Sequence, residues 1–386
     1  MKIFPAIVVV LLRCAAGFLF CQATLPAAEL TVIEEKGANG VSVIQVRAAD
    51  GTRLTAYKID LGTHHHPATS ADDKLVKKFK SWKYGAFLCF NSNQYSGSEF
   101  CTSKDPVNDF QPTALDVKQW ISTLKGGGMN YAVLTVRHTS EFLLWDSKTS
   151  NIKVTKSVYG KDIVKEYVEE CRKQGIEPGI YYCLWGAGWR PNSNARAIIL
   201  AQLHELATNY GLIPYFWLDM PPHTGWLAKD LSLQEIYDSL KNVHADTIVM
   251  FNNGIQDGSV VNAFPTDVIN GEMCSPPAAG HNPKRTIGEK TYYIPFEYEP
   301  CSQQRGTHVV GKWDFPGAAW FTYGSGKSFE ISKPLSPEFL CSKIHEAYKR
   351  RADAVLLACA PDHTGLFRKE DVEQLDSLGK MLSKTP

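Results

Sequence analysis

The chain has 386 residues, 44% of them hydrophobic and 21% charged, with a formal net charge of +1. That length holds one large domain or two average ones, and the balance is ordinary for a soluble globular chain with a sizeable core. A net charge so near zero removes the electrostatic case for nucleic acid or a membrane surface as partner.

Residues 1–28 read as a secretory signal peptide. Lys2 precedes a long apolar run, and Ala23, Ala27 and Ala28 offer small residues for cleavage. Such a leader implies a secreted or periplasmic protein. Arg13 interrupts the run, so an uncleaved membrane anchor is the competing expectation. No later segment is long and apolar enough to span a bilayer. Residues 29–80 hold "LTVIEEKGANGVSVIQVRAADGTRLTAYKIDLG", which alternates apolar and polar residues around glycine turns. This predicts a small antiparallel β appendage. The linker "THHHPATSADD" follows; its adjacent His64, His65 and His66 cannot all face one way and read as a solvated loop.

From residue 81 to 386 the pattern changes to apolar runs alternating with helical-period segments. Strands are predicted at "YGAFLCFN" (84–91), "YAVLTVRH" (131–138), "EPGIYYCLW" (177–185), "IPYFWLDM" (213–220), "DTIVMFNN" (246–253) and "AVLLACAPD" (354–362). Less regular segments, "TDVING", "TYYIPFEYEP" and "AAWFTYG", lie between the last two. Helices are predicted between most strands, several with glycine stops, as in "KDIVKEYVEECRKQG". The count fits an α/β chain folded as a (β/α)8 TIM-like barrel. A doubly wound sheet is the alternative, but "CFNSNQYSG" supplies no glycine-rich phosphate turn after the first strand.

In a barrel the chemistry sits at the C-terminal ends of the strands. Those ends carry Cys89, His138, Thr139, Tyr182, Trp185, Asp219, Asn252, Glu272, Glu297, Glu299 and Asp362. Two carboxylates facing each other among aromatic residues are the equipment of glycoside hydrolysis. Asp219 and a glutamate of the 297–299 region form the candidate pair. No H-E-x-x-H, C-x-x-C or G-x-S-x-G pattern occurs, so neither a metal nor a cofactor is expected. Of the ten cysteines, Cys14 and Cys21 fall in the leader; among the other eight, Cys89 and Cys101 suggest a pair, and several of the rest read as buried thiols.

These segments resemble the family 29 glycoside hydrolases, the retaining α-L-fucosidases. "KYGAFLCFN", "YAVLTVRHTSEFLLWDSKTS", "ELATNYGLIPYFWLDM" and "ADAVLLACAPDHTGLFRKEDVEQLDSLGKML" are similar to the family's first, second, fourth and closing strand regions, in order. The resemblance implies Asp219 as nucleophile. It implies Glu297 as acid/base through the segment "YYIPFEYEP", with Glu299 and Glu272 as alternatives. His138 and Glu99 would contact sugar hydroxyls, and Tyr182, Trp185 and Trp145 would shape the pocket wall. Cys89 and Thr139 stand where the family has sugar-reading histidines, and Phe100 replaces a tryptophan. The implied substrate is a fucosylated glycan. A related sugar such as an α-L-galactoside is the second expectation, and a non-catalytic carbohydrate-binding barrel the third. No C-terminal β-sandwich is expected after the last helix.

Overall fold

The computed structural model describes residues 30–96, 103–185, 194–219, 230–254, 256–272, 275–304, 309–310, 315–316, 319–321 and 332–384. The leader expected over residues 1–28 lies outside the described residues, as does Cys101. No helix among the described residues is long and apolar enough to cross a membrane.

The appendage forms as the alternation predicts. Strands β1 (Thr31–Lys36), β2 (Val41–Arg47) and β3 (Arg53–Asp60) pair antiparallel in the order β1-β2-β3. Along β2, Ser42, Ile44 and Val46 are buried and their neighbours are not, the period-two signature of a half-covered sheet. The histidine triplet is the solvated loop expected, with His64 and His66 exposed and His65 half-buried, and it also bonds to the barrel. His64 Nδ1 lies 2.8 Å from Asp238 Oδ2, and His65 Nε2 lies 2.6 Å from Asn242 Oδ1. Two of the three histidines therefore pin the linker to the barrel. The segment before residue 81 also contains α1 (Lys74–Trp82), capped by Asp73 and burying Val76, Phe79 and Trp82 on one face. Trp82 stacks on Tyr131, with ring centroids 5.1 Å apart, at the N-terminal end of the barrel.

The barrel begins with β4 (Tyr84–Leu88), followed by the short α2 (Asn93–Ser96) and α3 (Pro106–Asp109) and by α4 (Val117–Gly126). Then come β5 (Tyr131–Arg137), α5 (Ile163–Gln174), β6 (Glu177–Cys183), α6 (Ala195–Thr208), β7 (Tyr215–Asp219), α7 (Leu233–Lys241) and β8 (Ile248–Phe251). The predicted units are all present here. Helix α5 stops where expected, with Gly175 in the left-handed conformation at φ 70°. After β9 (Ile269–Gly271), the hairpin β10 (Lys284–Ile287) and β11 (Lys290–Tyr293) occupies the place of a helix. Strand β12 (Phe296–Tyr298) follows. Two-residue strands β13 (Gln303–Gln304), β14 (Val309–Val310), β15 (Phe315–Pro316) and β16 (Lys333–Pro334) decorate the next excursion. Helix α8 (Pro337–Lys349), β17 (Ala354–Cys359) and α9 (Lys369–Leu382) complete the described chain. "AAWFTYG" contributes no barrel strand among its described residues.

Eight parallel strands run in the order β8-β7-β6-β5-β4-β17-β12-β9. The remaining seam, β8 to β9, closes without a regular ladder. Val249 N–H donates to Asp267 Oδ2 at 2.8 Å, Phe251 N–H to Thr266 Oγ1 at 3.2 Å and Asn253 N–H to Asn270 Oδ1 at 2.7 Å. Side chains thus satisfy backbone donors that would otherwise be buried and unpaired. Asp267 is itself held by Tyr237 OH at 2.6 Å and by the buried Lys241 ammonium at 2.7 Å.

Candidate active site

Strand β7 is buried from end to end. Its alternation turns Tyr215, Trp217 and Asp219 to the barrel interior, with Asp219 last, at the C-terminal rim. Cys183 of β6 is its register partner, as Tyr181 is that of Trp217. Asp219 is 6% exposed. A carboxylate this buried needs donors, and the described residues supply at least two. Tyr181 OH donates to Oδ2, and Asn252 Nδ2 donates to Oδ1 at 2.7 Å. Burial and the Asp219 charge hold the Tyr181 phenol well above its ordinary pKa, so it stays a donor.

Asn252 also donates from the same nitrogen to Glu272 Oε2, at 3.0 Å. Its orientation is fixed, because its Oδ1 accepts from Gly254 N–H at 2.8 Å and from Asn270 Nδ2 at 3.0 Å. A backbone N–H can only donate, so the amide nitrogen must face the carboxylates. Asn270 is fixed in the same way by Asn253 N–H, and its nitrogen also reaches Glu299 Oε2 at 3.2 Å. Three acids, Asp219, Glu272 and Glu299, therefore hang on a chain of two asparagines. Since both bonds start on one nitrogen, the nearest oxygens of Asp219 and Glu272 stand no farther apart than the sum of the two lengths. That is short of the roughly 6.5 Å at which inverting separations begin.

The pocket over these groups is lined by Phe87, Cys89, Thr135, His138, Tyr181, Trp217, Asp219, Glu272, Glu299, Trp320 and Phe321. His138 stacks nearly parallel on Tyr181, with centroids 5.7 Å apart, and meets Phe321 edge-on. Burial, reinforced by the neighbouring Arg137 charge, depresses the His138 pKa to about 3, so the ring is neutral. Arg137 is spent structurally: it donates to the carbonyls of Cys183 and Trp185, the latter at 2.6 Å, and pairs with Glu141 at 3.0 Å.

The other predicted residues divide sharply. Glu297 does not line the pocket. It is 0% exposed and sits in the barrel interior one inward-facing position before Glu299. Its carboxyl accepts from Tyr131 OH at 2.8 Å, Tyr215 OH at 2.9 Å and Trp217 Nε1 at 3.2 Å. Burial pushes it up to about 7 against the pull of those donors. Glu299 is also 0% exposed but does line the pocket. Burial, then the nearby Glu272 and Glu297, raise its pKa well above the carboxylate range. Tyr182 points away from the site, donating to Gln202 of α6 at 2.6 Å with Arg137 over its ring. Trp145 is likewise outside, its indole N–H bound to Glu205 at 2.9 Å. Trp185 and Thr139 do not line the pocket among the described residues; Thr139 Oγ1 lies behind it, 3.2 Å from His138 Nδ1. Cys89 lines it, its thiol directed to the Phe87 carbonyl at 3.6 Å. Glu99, with Phe100, lies outside the described residues.

The α-L-fucosidase family profile matches residues 61–269, more than half of the chain. The chain belongs to the α-L-fucosidase family. Alpha-L-fucosidase 1 of Arabidopsis thaliana is 26% identical over 310 residues, covering 78% of this chain and 58% of that one. The chain thus spans little more than half the length of this relative. Among solved structures, a glycoside hydrolase 29 family member from an unknown rumen bacterium superposes with a TM-score of 0.64 at 19% identity. It covers 83% of this chain and 58% of that one. Alpha-L-fucosidase AlfC from Lactobacillus casei, in complex with α-L-fucose product, gives a TM-score of 0.60 at 19% identity, covering 81% and 99%. At these identities the structures speak for the family's barrel. The family match includes β7 with Asp219 and ends on β9, short of Glu272 and Glu299.

Proposed function

We propose that the chain is a retaining α-L-fucosidase, with Asp219 as nucleophile and Glu272 as acid/base. The observation that carries the assignment is the single Asn252 nitrogen donating to both carboxyls. Retention needs two carboxyl groups close enough for one to attack the anomeric carbon while the other protonates the leaving oxygen. Glu272 suits the second role better than its rivals. It is only partly buried, and an acid/base must hand its proton to and from water. Glu297 is enclosed by three donors, and Glu299 is sealed from solvent on the far side of Asn270.

In the first step Asp219 attacks the anomeric carbon as Glu272 gives its proton to the departing oxygen. In the second, Glu272 takes a proton from water, which cleaves the glycosyl ester. Asn252 serves both halves, since its N–H groups stabilise the charge that appears on Glu272 as the proton leaves. The aromatic wall of Phe87, Trp217, Trp320 and Phe321 favours the methyl of a 6-deoxy sugar over the hydroxymethyl of an α-L-galactoside. A hydrophobic wall discriminates against an added hydroxyl by only about a hundredfold, so slow galactoside turnover accompanies this reading. We assign the activity to an exported protein on the leader-like residues 1–28.

The test uses an aryl α-L-fucoside and added azide. Asp219→Gly should lose turnover and, with azide, give the β-fucosyl azide. Glu272→Gly should keep activity on activated leaving groups and give the α-fucosyl azide. Wild-type turnover by Asp219→Gly, or bound sugar without product in the wild type, would retire the proposal.

A further inference from the structure

Several polar groups of the pocket are already committed. Tyr181 OH is spent on Asp219, Trp217 N–H on Glu297, and the Cys89 thiol faces its own strand. A monosaccharide brings several hydroxyl groups, each needing a partner once water is excluded. Among the described residues, two buried polar atoms in this wall have no hydrogen-bond partner: Thr135 Oγ1 and Glu299 Oε1. Both residues are almost wholly enclosed, at 1% and 0% exposure. Native interiors rarely leave such atoms orphaned, so each asks for an explanation. Lining one pocket, they share one: a ligand completes them.

We propose that Glu299 and Thr135 are specificity-determining contacts, each hydrogen-bonded to a different hydroxyl of the bound sugar. This rests on the fucosidase reading of the pocket. Glu299 acts as a neutral acid, its O–H donating to a sugar oxygen, while Oε2 accepts from Asn270. Its surroundings support that protonation: it faces Glu272, Glu297 and Asp219, with no cation among the groups that perturb it. Thr135 offers a hydroxyl that donates or accepts. It sits at the register shift of β5, between Thr135 and Arg137, where the strand stops following its neighbour and turns its rim residues.

The experiment compares Glu299→Gln, Glu299→Leu and Thr135→Val in the full chain. It measures kcat and KM on an aryl α-L-fucoside and on its 2-, 3- and 4-deoxy analogues. Thr135→Val keeps the branched shape and loses only the hydroxyl. The expected loss for Thr135→Val and Glu299→Leu is roughly 10- to 100-fold in kcat/KM. For each variant the loss should vanish on one deoxy analogue, a different one for the two residues. Glu299→Gln retains a donor and should recover at least tenfold over Glu299→Leu. Equal losses on every analogue, or a Gln variant no better than Leu, would overturn the proposal. Calorimetric titration with L-fucose separates this from the hydrolase reading. A wild type that binds fucose yet releases no aryl group from the fucoside ends that reading, and weaker fucose binding by Thr135→Val still supports the contact.

Discussion

Asn252→Ala is the substitution that tests the site most directly. It removes the donor at 2.7 Å from Asp219 and at 3.0 Å from Glu272. A hydrogen bond to a charged group is worth ~1.5–3 kcal/mol, and ~1.4 kcal/mol is a factor of ten. The Glu272 bond strengthens as the proton leaves, so its loss falls on the transition state. The Asp219 bond mainly sets position and ground-state charge. The expected result is a fall in kcat of about 10- to 100-fold with a smaller change in KM. The assay is steady-state turnover on two aryl fucosides, one with an activated leaving group that needs no protonation. The deficit should shrink on the activated substrate, because the general acid is then idle. Asn252→Asp should be worse, by at least about a thousandfold, since it sets a third acid between two others and like charges at this range cannot all ionise. The Ala variant also strands Gly254 N–H and one bond of Asn270, at ~1–3 kcal/mol per group, so thermal unfolding must be recorded to keep stability apart from rate. Turnover by Asn252→Ala within about threefold of wild type on both substrates would refute the reasoning.

Tyr181→Phe removes the phenol bound to Asp219 Oδ2 and should cost roughly tenfold or more in kcat, read on the same aryl substrates; an unchanged rate would show that the phenol does not position the nucleophile. Glu297 predicts a pH effect on stability. Its pKa is raised in the fold from 4.5 to about 7, so its contribution is fully present below pH 4.5 and is lost as pH rises through 7. The slope is at most ~1.4 kcal/mol per pH unit. Glu297→Gln should flatten the fall of the thermal midpoint over that window, and a parallel curve would contradict the shift. Asp267→Ala should destabilise the barrel by ~3–5 kcal/mol, because it leaves the Lys241 charge buried without its partner. Urea unfolding measures it, and a loss below about 1 kcal/mol would show that the seam does not depend on Asp267.

The sequence carried the barrel because each unit announces itself twice, by an apolar run and by a helical period with a cap or glycine stop. It carried Asp219 because an acid closing such a run is rare. It could not carry the phase of the walls. Strand β6 is buried on both faces from Pro178 onward, so nothing in "GIYYC" says which tyrosine faces in, and Tyr182 was expected where Tyr181 stands. A strand covered on both sides loses the alternation that marks an inner face. The β7 parity, by contrast, is readable from Asp219: stepping back by two reaches Trp217, which does line the pocket. Trp145 failed for another reason. Its neighbourhood resembles a family segment, yet its indole is satisfied by Glu205 of α6, a contact between distant segments that no local pattern encodes. Trp320 and Phe321 come from an irregular segment with no periodicity to place them.

Glu297 and Glu299 share a parity, so sequence alone cannot separate them; depth does. The deeper acid is wrapped by two phenols and an indole, and the upper one is left with a single amide donor. That difference decides their chemistry. Donors lower the cost of ionising Glu297 and bring it back near neutrality, whereas Glu299 meets three other acids with little compensation. On the proposed roles, keeping Glu299 neutral limits the charge at the mouth to Asp219 and Glu272. A second full negative charge beside Glu272 would oppose the proton loss that catalysis requires, whereas a neutral acid there does not. Trp217 links the two levels, with its ring in the pocket wall and its N–H on Glu297. The buried acid thus helps to fix the orientation of an aromatic surface of the pocket, the one that the proposed reading sets against the sugar.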